Sequence, residues 1–391
     1  MDTKEFTIRP GRDADAAGFI ALIGACWAEY PGIVFNVDAE LPELHALATY
    51  YAAKDGALWT AEADGQVVGM IAVVPRDDDA WEICRLYVLA AWRGAKMGRG
   101  AGLAHCLLDH AEAHARSAGT TDPRTPGATA PRAAGANSPR AADAKSPRAA
   151  GATRLVLWSD TRFERAHRFY ERRGYVRAGP IRVLNDLSNS LEFGYAKPVH
   201  GVAVLDAAAA ASAERCLAAV LMACVADGAS VGFLPPVAPD VAHAFWRHRA
   251  SEVATGGRIL IAGWADGALV GCVMLALDTP VNQRHRAEVQ ALLVHPAARR
   301  RGLFRALMQR LELEAAQHGR TLLTLDTIAG DSGAGNSGAG DNNAGDTGAS
   351  EPAEALFHAL GWIAAGRIPG YARKADGTPC DTRYFYKRLM A

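Results

Sequence analysis

Arg93-Gly94-Ala95-Lys96-Met97-Gly98-Arg99 follows a strand-like run, Trp81-Glu82-Ile83-Cys84-Arg85-Leu86-Tyr87-Val88, and precedes a run with helical spacing, Leu103 to His114. A glycine-containing turn that opens a helix leaves several backbone N–H groups pointing one way. Those groups and the helix dipole suit a pyrophosphate. The design then recurs. Arg299-Arg300-Arg301-Gly302-Leu303-Phe304-Arg305 follows Glu288-Val289-Gln290-Ala291-Leu292-Leu293-Val294 and leads into Ala306 to Gln317. Glu82, Val88 and Arg93 return as Glu288, Val294 and Arg299, at a constant offset of 206 positions.

The pattern around these stretches also repeats. The first half reads as a short strand (Phe6 to Arg9) and helices over Asp13 to Trp27 and Pro42 to Lys54. Two strands then join across Asp64-Gly65, a strong hairpin signal. After the turn and its helix come a strand (Arg154 to Asp160), a short helix ending at Gly174, and closing strands. The second half repeats that order, with its hairpin across Asp266-Gly267. The chain therefore reads as two mixed α/β domains of similar fold, residues 1–199 and 200–391, and neither alternates like a doubly wound sheet. Two stretches interrupt the order. Residues 119–152 repeat Pro-Arg-Ala-Ala every eight residues, and 330–350 are rich in Gly, Asn, Asp and Ala. Neither composition supports a core, and both are expected to be disordered surface insertions.

Composition narrows the function. Lys plus Arg and Asp plus Glu number 42 each, so no global charge draws the chain to nucleic acid or an anionic membrane. The seven cysteines are odd in number and lack CxxC spacing, which speaks against a disulfide framework or a zinc site and for a cytoplasmic setting. No apolar run reaches the ~20 residues of a membrane span. Two apparent motifs fail. Gly98-Arg99-Gly100-Ala101-Gly102 is not GxGxxG, and His110-Ala111-Glu112-Ala113-His114 has its Glu misplaced for a metalloprotease helix.

These residues resemble the GNAT acyltransferase superfamily, whose acetyl-CoA motif reads Arg/Gln-x-x-Gly-x-Gly/Ala between a strand and a helix. Residues 93–98 match except at Lys96, and residues 299–304 match except at Phe304. A second family motif, x-Phe-Tyr-x-x-x-Gly-Phe/Tyr, appears as Arg168 to Tyr175 and as Ala355 to Trp362. The second half is similar to tabtoxin-resistance-type acetyltransferases through Asp227 to Pro236 and Ile368 to Ala372.

The resemblance implies two domains, each a mixed, mostly antiparallel sheet flanked by helices. It also implies acetyl transfer from acetyl-CoA, without a metal, to the amine of a small molecule, by direct attack in a ternary complex. Cofactor contacts would fall on Leu86, Tyr87, Val88, Arg93, Gly94, Ala95, Lys96, Met97, Gly98 and Arg99. In the second half they would fall on Val294, Arg299, Arg300, Arg301, Gly302, Leu303, Phe304 and Arg305. Tyr170 would protonate the departing thiolate, and Glu82 and Glu288 would act as bases. Phe357 stands where the second half would need that tyrosine, so the first half is expected to be the catalytic one. Rival expectations are a protein N-acetyltransferase and a CoA-binding sensor or scaffold.

Overall fold

The strand preceding each turn lies at the centre of a sheet. The computed structural model describes residues 5–76, 80–94, 102–117, 152–329, 350–374 and 376–389. In chain order the first elements are β1 (Thr7–Pro10), α1 (Ala16–Trp27), α2 (Val37–Glu40), α3 (Leu47–Ala52), β2 (Ala57–Ala63), β3 (Gln66–Pro75), β4 (Ala80–Val88), α4 (Leu103–Ser117) and β5 (Arg154–Asp160). Next come α5 (Glu164–Arg172), β6 (Val176–Arg177), β7 (Arg182–Val183) and β8 (Leu191–Pro198). The second run is β9 (Gly201–Leu205), α6 (Ala207–Ser212), α7 (Glu214–Ala226), α8 (Pro239–Ala254), β10 (Arg258–Ala265), β11 (Ala268–Ala276), β12 (Arg286–Val294), α9 (Leu303–Gln317), β13 (Leu322–Ile328), α10 (Ser350–Ala359), β14 (Ile363–Arg373) and β15 (Pro379–Arg388).

The chain forms two compact units, Met1–Phe163 with Gly179–Ala196, and Glu164–Ala178 with Lys197–Ala391. Residues 164–178, read from the sequence as part of the first half, thus group with the second unit. Hydrogen bonds tie them there. Trp264 Nε1 donates to the Gly174 carbonyl (2.8 Å), the Arg177 N–H to Ser212 Oγ (2.9 Å), and Lys197 Nζ to the Arg173 carbonyl (3.0 Å). Val176 is buried in the same core as Leu205, Leu217 and Trp264.

The first unit orders its strands β1-β2-β3-β4-β5-β8, and the second β14-β15-β13-β12-β11-β10-β9. Only β4·β5 and β12·β13 are parallel among the register pairs; the others are antiparallel. Each sheet is therefore mixed and mostly antiparallel. The two hairpins turn as expected, with Asp64, Gly65, Asp266 and Gly267 all at positive φ.

In the second unit, alternation along the strands sorts the faces. Ala287, Val289, Leu323, Leu325 and Phe385 pack under Leu307 and Leu311 of α9 and Phe357 of α10. The reverse face of the inner strands carries Leu260, Trp264, Cys272 and Met274 under α6, α7 and α8. In the first unit α1 and α3 cover Met70, Ala72 and Val74. The helix after each turn sits close to the sheet because a glycine faces it. A Cβ on Gly69 would lie 3.0 Å from Leu107 Cδ1 and 3.2 Å from Leu103 Cδ2; on Gly271 it would lie 3.1 Å from Leu303 Cδ2 and 3.4 Å from Leu307 Cδ1.

Gly271→Val should therefore destabilise the second unit by about 1–3 kcal/mol through overpacking, read from a urea unfolding curve. An unchanged midpoint would contradict that close approach.

Candidate active site

Each central strand leaves its parallel partner part-way along. β4 pairs with β5 only from Ala80↔Arg154 to Ile83↔Leu157, and β12 pairs with β13 only from Arg286↔Leu322 to Glu288↔Thr324. The parting coincides with a β-bulge. The register with the antiparallel neighbour slips between Met70 and Ala72 opposite β4, and between Cys272 and Met274 opposite β12. The extra residue is Arg85 in one strand (φ +54°) and Ala291 in the other (φ +46°), again 206 positions apart. A bulge bends its strand, and a left-handed non-glycine residue marks stored strain.

Beyond the bulge, hydrogen-bond parity decides where the backbone points. The His295 N–H donates to the Val270 carbonyl (2.8 Å), so Val294 opposite Gly271 is a non-hydrogen-bonded pair. The N–H of Val294, and by alternation the N–H and C=O of Leu292, face away from β11 into the gap, while the Val294 carbonyl accepts from Arg299 Nε and Cys224 Sγ. The Leu89 N–H on the Val68 carbonyl (3.0 Å) sets the same parity for Val88 and Leu86. Of the predicted strand contacts, Val88, Leu86 and Val294 thus present main chain to the gap. Tyr87 does not, and its half-buried hydroxyl accepts a hydrogen bond from Trp27 Nε1 (3.0 Å). Leu292 was missed because the sequence does not reveal which N–H groups lack a ladder partner.

The turn after β12 is described throughout. Arg300 (φ +64°) and Gly302 (φ +82°) are left-handed, and Gly302 caps the N-terminus of α9. A Cβ on Gly302 would meet nothing within 4 Å, so the backbone angle and not crowding calls for glycine there. Arg301 pairs with Asp266 (2.7 Å). Arg300 and Arg305 are exposed and have no ion pair among the described residues. Leu303 is buried in the α9 core. Phe304 points away from the turn, its ring packing 5.6 Å from Phe357, which in turn meets Trp362 and Phe385. The two apparent departures from the family pattern, Phe304 and Phe357, are therefore one aromatic core contact.

In the first unit, Arg93 and Gly94 are described, while Ala95, Lys96, Met97, Gly98 and Arg99 lie outside the described residues, as do 119–151 and 330–349 of the two low-complexity stretches. The helix comparison moves the frame of this turn. Leu103 and Leu107 face Gly69 as Leu303 and Leu307 face Gly271, an offset of 200 and not 206. Gly102, whose carbonyl accepts from the His105 N–H (2.9 Å), is thus the counterpart of Gly302. Arg99-Gly100-Ala101-Gly102-Leu103-Ala104 then reads Arg-x-x-Gly-x-Ala, with six residues added between Arg93 and the helix. The constant strand offset hid this insertion; the leucine spacing reveals it.

The titratable residues differ between units. Glu82 is buried on β4 and forms an ion pair with Arg76. Glu288 is more open and accepts from Gln290 Nε2 (2.9 Å). Register places Glu288, Thr324, Asp326 and Tyr384 on one face of the second sheet. Asp326 is exposed at the strand surface, yet desolvation and then the charge of Glu288 raise its pKa. The hydrogen bond that Tyr384 donates to Tyr371, with desolvation adding to it, pushes the Tyr384 phenol up to about 12, and the two rings meet edge-on at 5.9 Å. Asp326 and Tyr384 were not singled out from the sequence, since only strand register brings them beside Glu288. Tyr170 is buried on α5 between Phe169 and Tyr175, in the second compact unit. No group of three metal-ligating side chains and no helix able to cross a membrane occurs among the described residues.

β4 and β12 each part from their parallel partner, and β12 runs through a turn into the N-terminus of α9. Residues 54–177 match the acetyltransferase (GNAT) domain and residues 229–335 match the acetyltransferase (GNAT) family, more than half the chain between them. The chain belongs to the GNAT acetyltransferases, a family of acyltransferases, and carries the domain twice. It is similar to the solved structure of a putative acetyltransferase from Salmonella typhimurium with acetyl-CoA (19% identity, 49% of this chain and 95% of that one, TM-score 0.37). It is also similar to a phosphinothricin acetyltransferase from Sinorhizobium meliloti in complex with AcCoA (20% identity, 49% and 89%, TM-score 0.38). A ribosomal-protein-alanine N-acetyltransferase from Brucella melitensis matches at 19% identity, 48% and 99% coverage, and TM-score 0.36.

Phe304→Ala should lower stability by about 1–3 kcal/mol, as a half-buried aromatic, while leaving acetyl-CoA affinity unchanged by calorimetric titration. A roughly tenfold loss of affinity would mean that the ring belongs to the cofactor site.

Proposed function

We propose that the protein is an acetyl-CoA-dependent N-acetyltransferase acting on the primary amine of a small molecule, with acetyl-CoA held in both units. The observation that carries this reading is the parting of β12 from β13 after Glu288, with the main-chain groups of Leu292 and Val294 turned into the gap. An acyl-pantetheine arm would pair there like an added strand, and its pyrophosphate would meet the N-terminus of α9 beside Arg300 and Arg305. A backbone N–H at the strand end would stabilise the oxyanion that forms on the thioester carbonyl.

On this reading the second unit carries the transfer, a change from the expectation set by Phe357. The ammonium gives one proton to Glu288 or Asp326, the freed nitrogen lone pair bonds to the acetyl carbon, the C–S bond breaks, and the second proton from nitrogen goes to solvent or the departing thiolate. Glu82 is buried against Arg76, whereas Glu288 meets Arg286 only at 4.0 Å and shares a more open sheet face with Asp326 and Tyr384. The pair of carboxylates favours an acceptor that arrives as a cation. A thiol with a pKa near ~8.5 leaves as thiolate without an acid, so Phe357 does not bar turnover. For the first domain copy, Glu82 as base and Tyr170 as proton donor remain the roles proposed from the family motif.

A thiol-release assay with acetyl-CoA and a panel of small amines tests the reading. Release that depends on a cationic amine is expected; no release with any amine, alongside cofactor binding, would favour a sensor. Asp326→Asn should lower kcat/KM by roughly 10²–10⁴-fold and remove an acid limb from the pH profile, since a base must lose its proton. An unchanged profile would exclude Asp326.

A further inference from the structure

We infer that Arg93 and Arg299 are positioning residues that lock the end of the cofactor-facing strand, rather than ligands of the cofactor's phosphates. This rests on the proposed acetyl-CoA site and adds a division of labour within it. Arg93 Nε donates to the Val88 carbonyl (2.7 Å), its Nη1 to Glu29 (2.5 Å) and its Nη2 to Cys26 Sγ (3.2 Å). Arg299 Nε donates to the Val294 carbonyl (3.3 Å) and its Nη1 to Asp227. A thiol joins each set. Cys26 Sγ donates to the Val88 carbonyl (3.5 Å), and Cys224 Sγ donates to the Val294 carbonyl (3.4 Å). Burial keeps both thiols protonated, Cys224 up to about 11, so each remains a donor. Carbonyl and arginine recur at an offset of 206, thiol and carboxylate at 198. Four groups from strand, turn and first long helix are thus reproduced in both units, with Glu29 replaced by the shorter Asp227.

The function of the set follows from what the strand lacks. Past the bulge, Val88 and Val294 have no ladder partner on the gap side, so their peptides are anchored from the other edge alone. The guanidinium and thiol take the carbonyl and fasten it to the helix, which leaves the N–H of the same residue fixed and free for a ligand. The two halves then separate this task from phosphate binding. The helix-capping glycine lies nine residues after Arg93 but three after Arg299. Both arginines nonetheless hold the strand-end carbonyl and a carboxylate, so these contacts follow the strand end and not the helix N-terminus. In the second turn Arg300, left-handed and exposed, remains for the phosphates.

Two ligands distinguish the roles, acetyl-CoA and S-acetylpantetheine, which lacks the pyrophosphate. In the full chain, Arg93→Gln with Arg299→Gln should weaken both ligands by a similar factor, roughly tenfold. Arg300→Gln should weaken acetyl-CoA alone. A loss confined to acetyl-CoA in the double variant would make these arginines phosphate ligands, and no loss with either ligand would make the contacts incidental; either overturns the inference. Glu29→Gln with Asp227→Asn keeps the arginines and guards against a folding defect. It should again weaken both ligands, whereas a tighter grip on acetyl-CoA would show that the released guanidinium seeks phosphate. If the unsubstituted protein bound neither ligand, the proposed function itself would fail, a result distinct from all of these.

Discussion

The gap between β12 and β13, and its twin between β4 and β5, is the constraint on which the rest depends. An inner strand normally gives its backbone groups alternately to its two neighbours, and buried groups left unpaired are costly. Here a bulge at Ala291 or Arg85 turns the strand aside, and the parted end presents unpaired N–H groups in a row. The protein thus holds a vacant strand position. The close packing of α4 on Gly69 and of α9 on Gly271 places a helix N-terminus at the end of that vacancy. An extended chain with an anionic tail satisfies both at once, and an acylated pantetheine diphosphate has that shape.

Around this shared frame the two units diverge in charge. Glu82 is closed off by Arg76, and Arg85 at the bulge is paired with Glu43. In the second unit Ala291 takes the place of Arg85, and Glu288 and Asp326 stand on an open face with Tyr384. On the proposed reading, two copies of one cofactor frame carry different acceptor-side chemistry. Cofactor binding would then depend mainly on backbone parity, which side-chain changes leave intact, while the acceptor side would consist of side chains and be free to vary.

Much of the fold was legible because it rests on short-range rules. The Asp-Gly hairpins, the alternation of β4 and β12 and the glycine before each helix need only neighbouring residues to be read. The site was less legible. The bulge has no sequence marker at Arg85 or Ala291, since neither is a glycine. Asp326 meets Glu288 through strand register, which joins residues far apart in the chain. The strands of the two halves match at an offset of 206 and the helices that follow at 200, so the motif of the first turn can be framed on residues 93–98 or on 99–104. Phe304 and Phe357 read separately as two defects, and only packing shows them to be one contact.

The most direct test of the account is the stoichiometry of acetyl-CoA binding to the full chain by isothermal titration calorimetry. Both units hold a parted strand, a strand-end arginine anchor and a glycine-capped helix. The account predicts two molecules bound per chain. A single site would mean that one parted strand does not hold the cofactor, and no binding would contradict the reading of both.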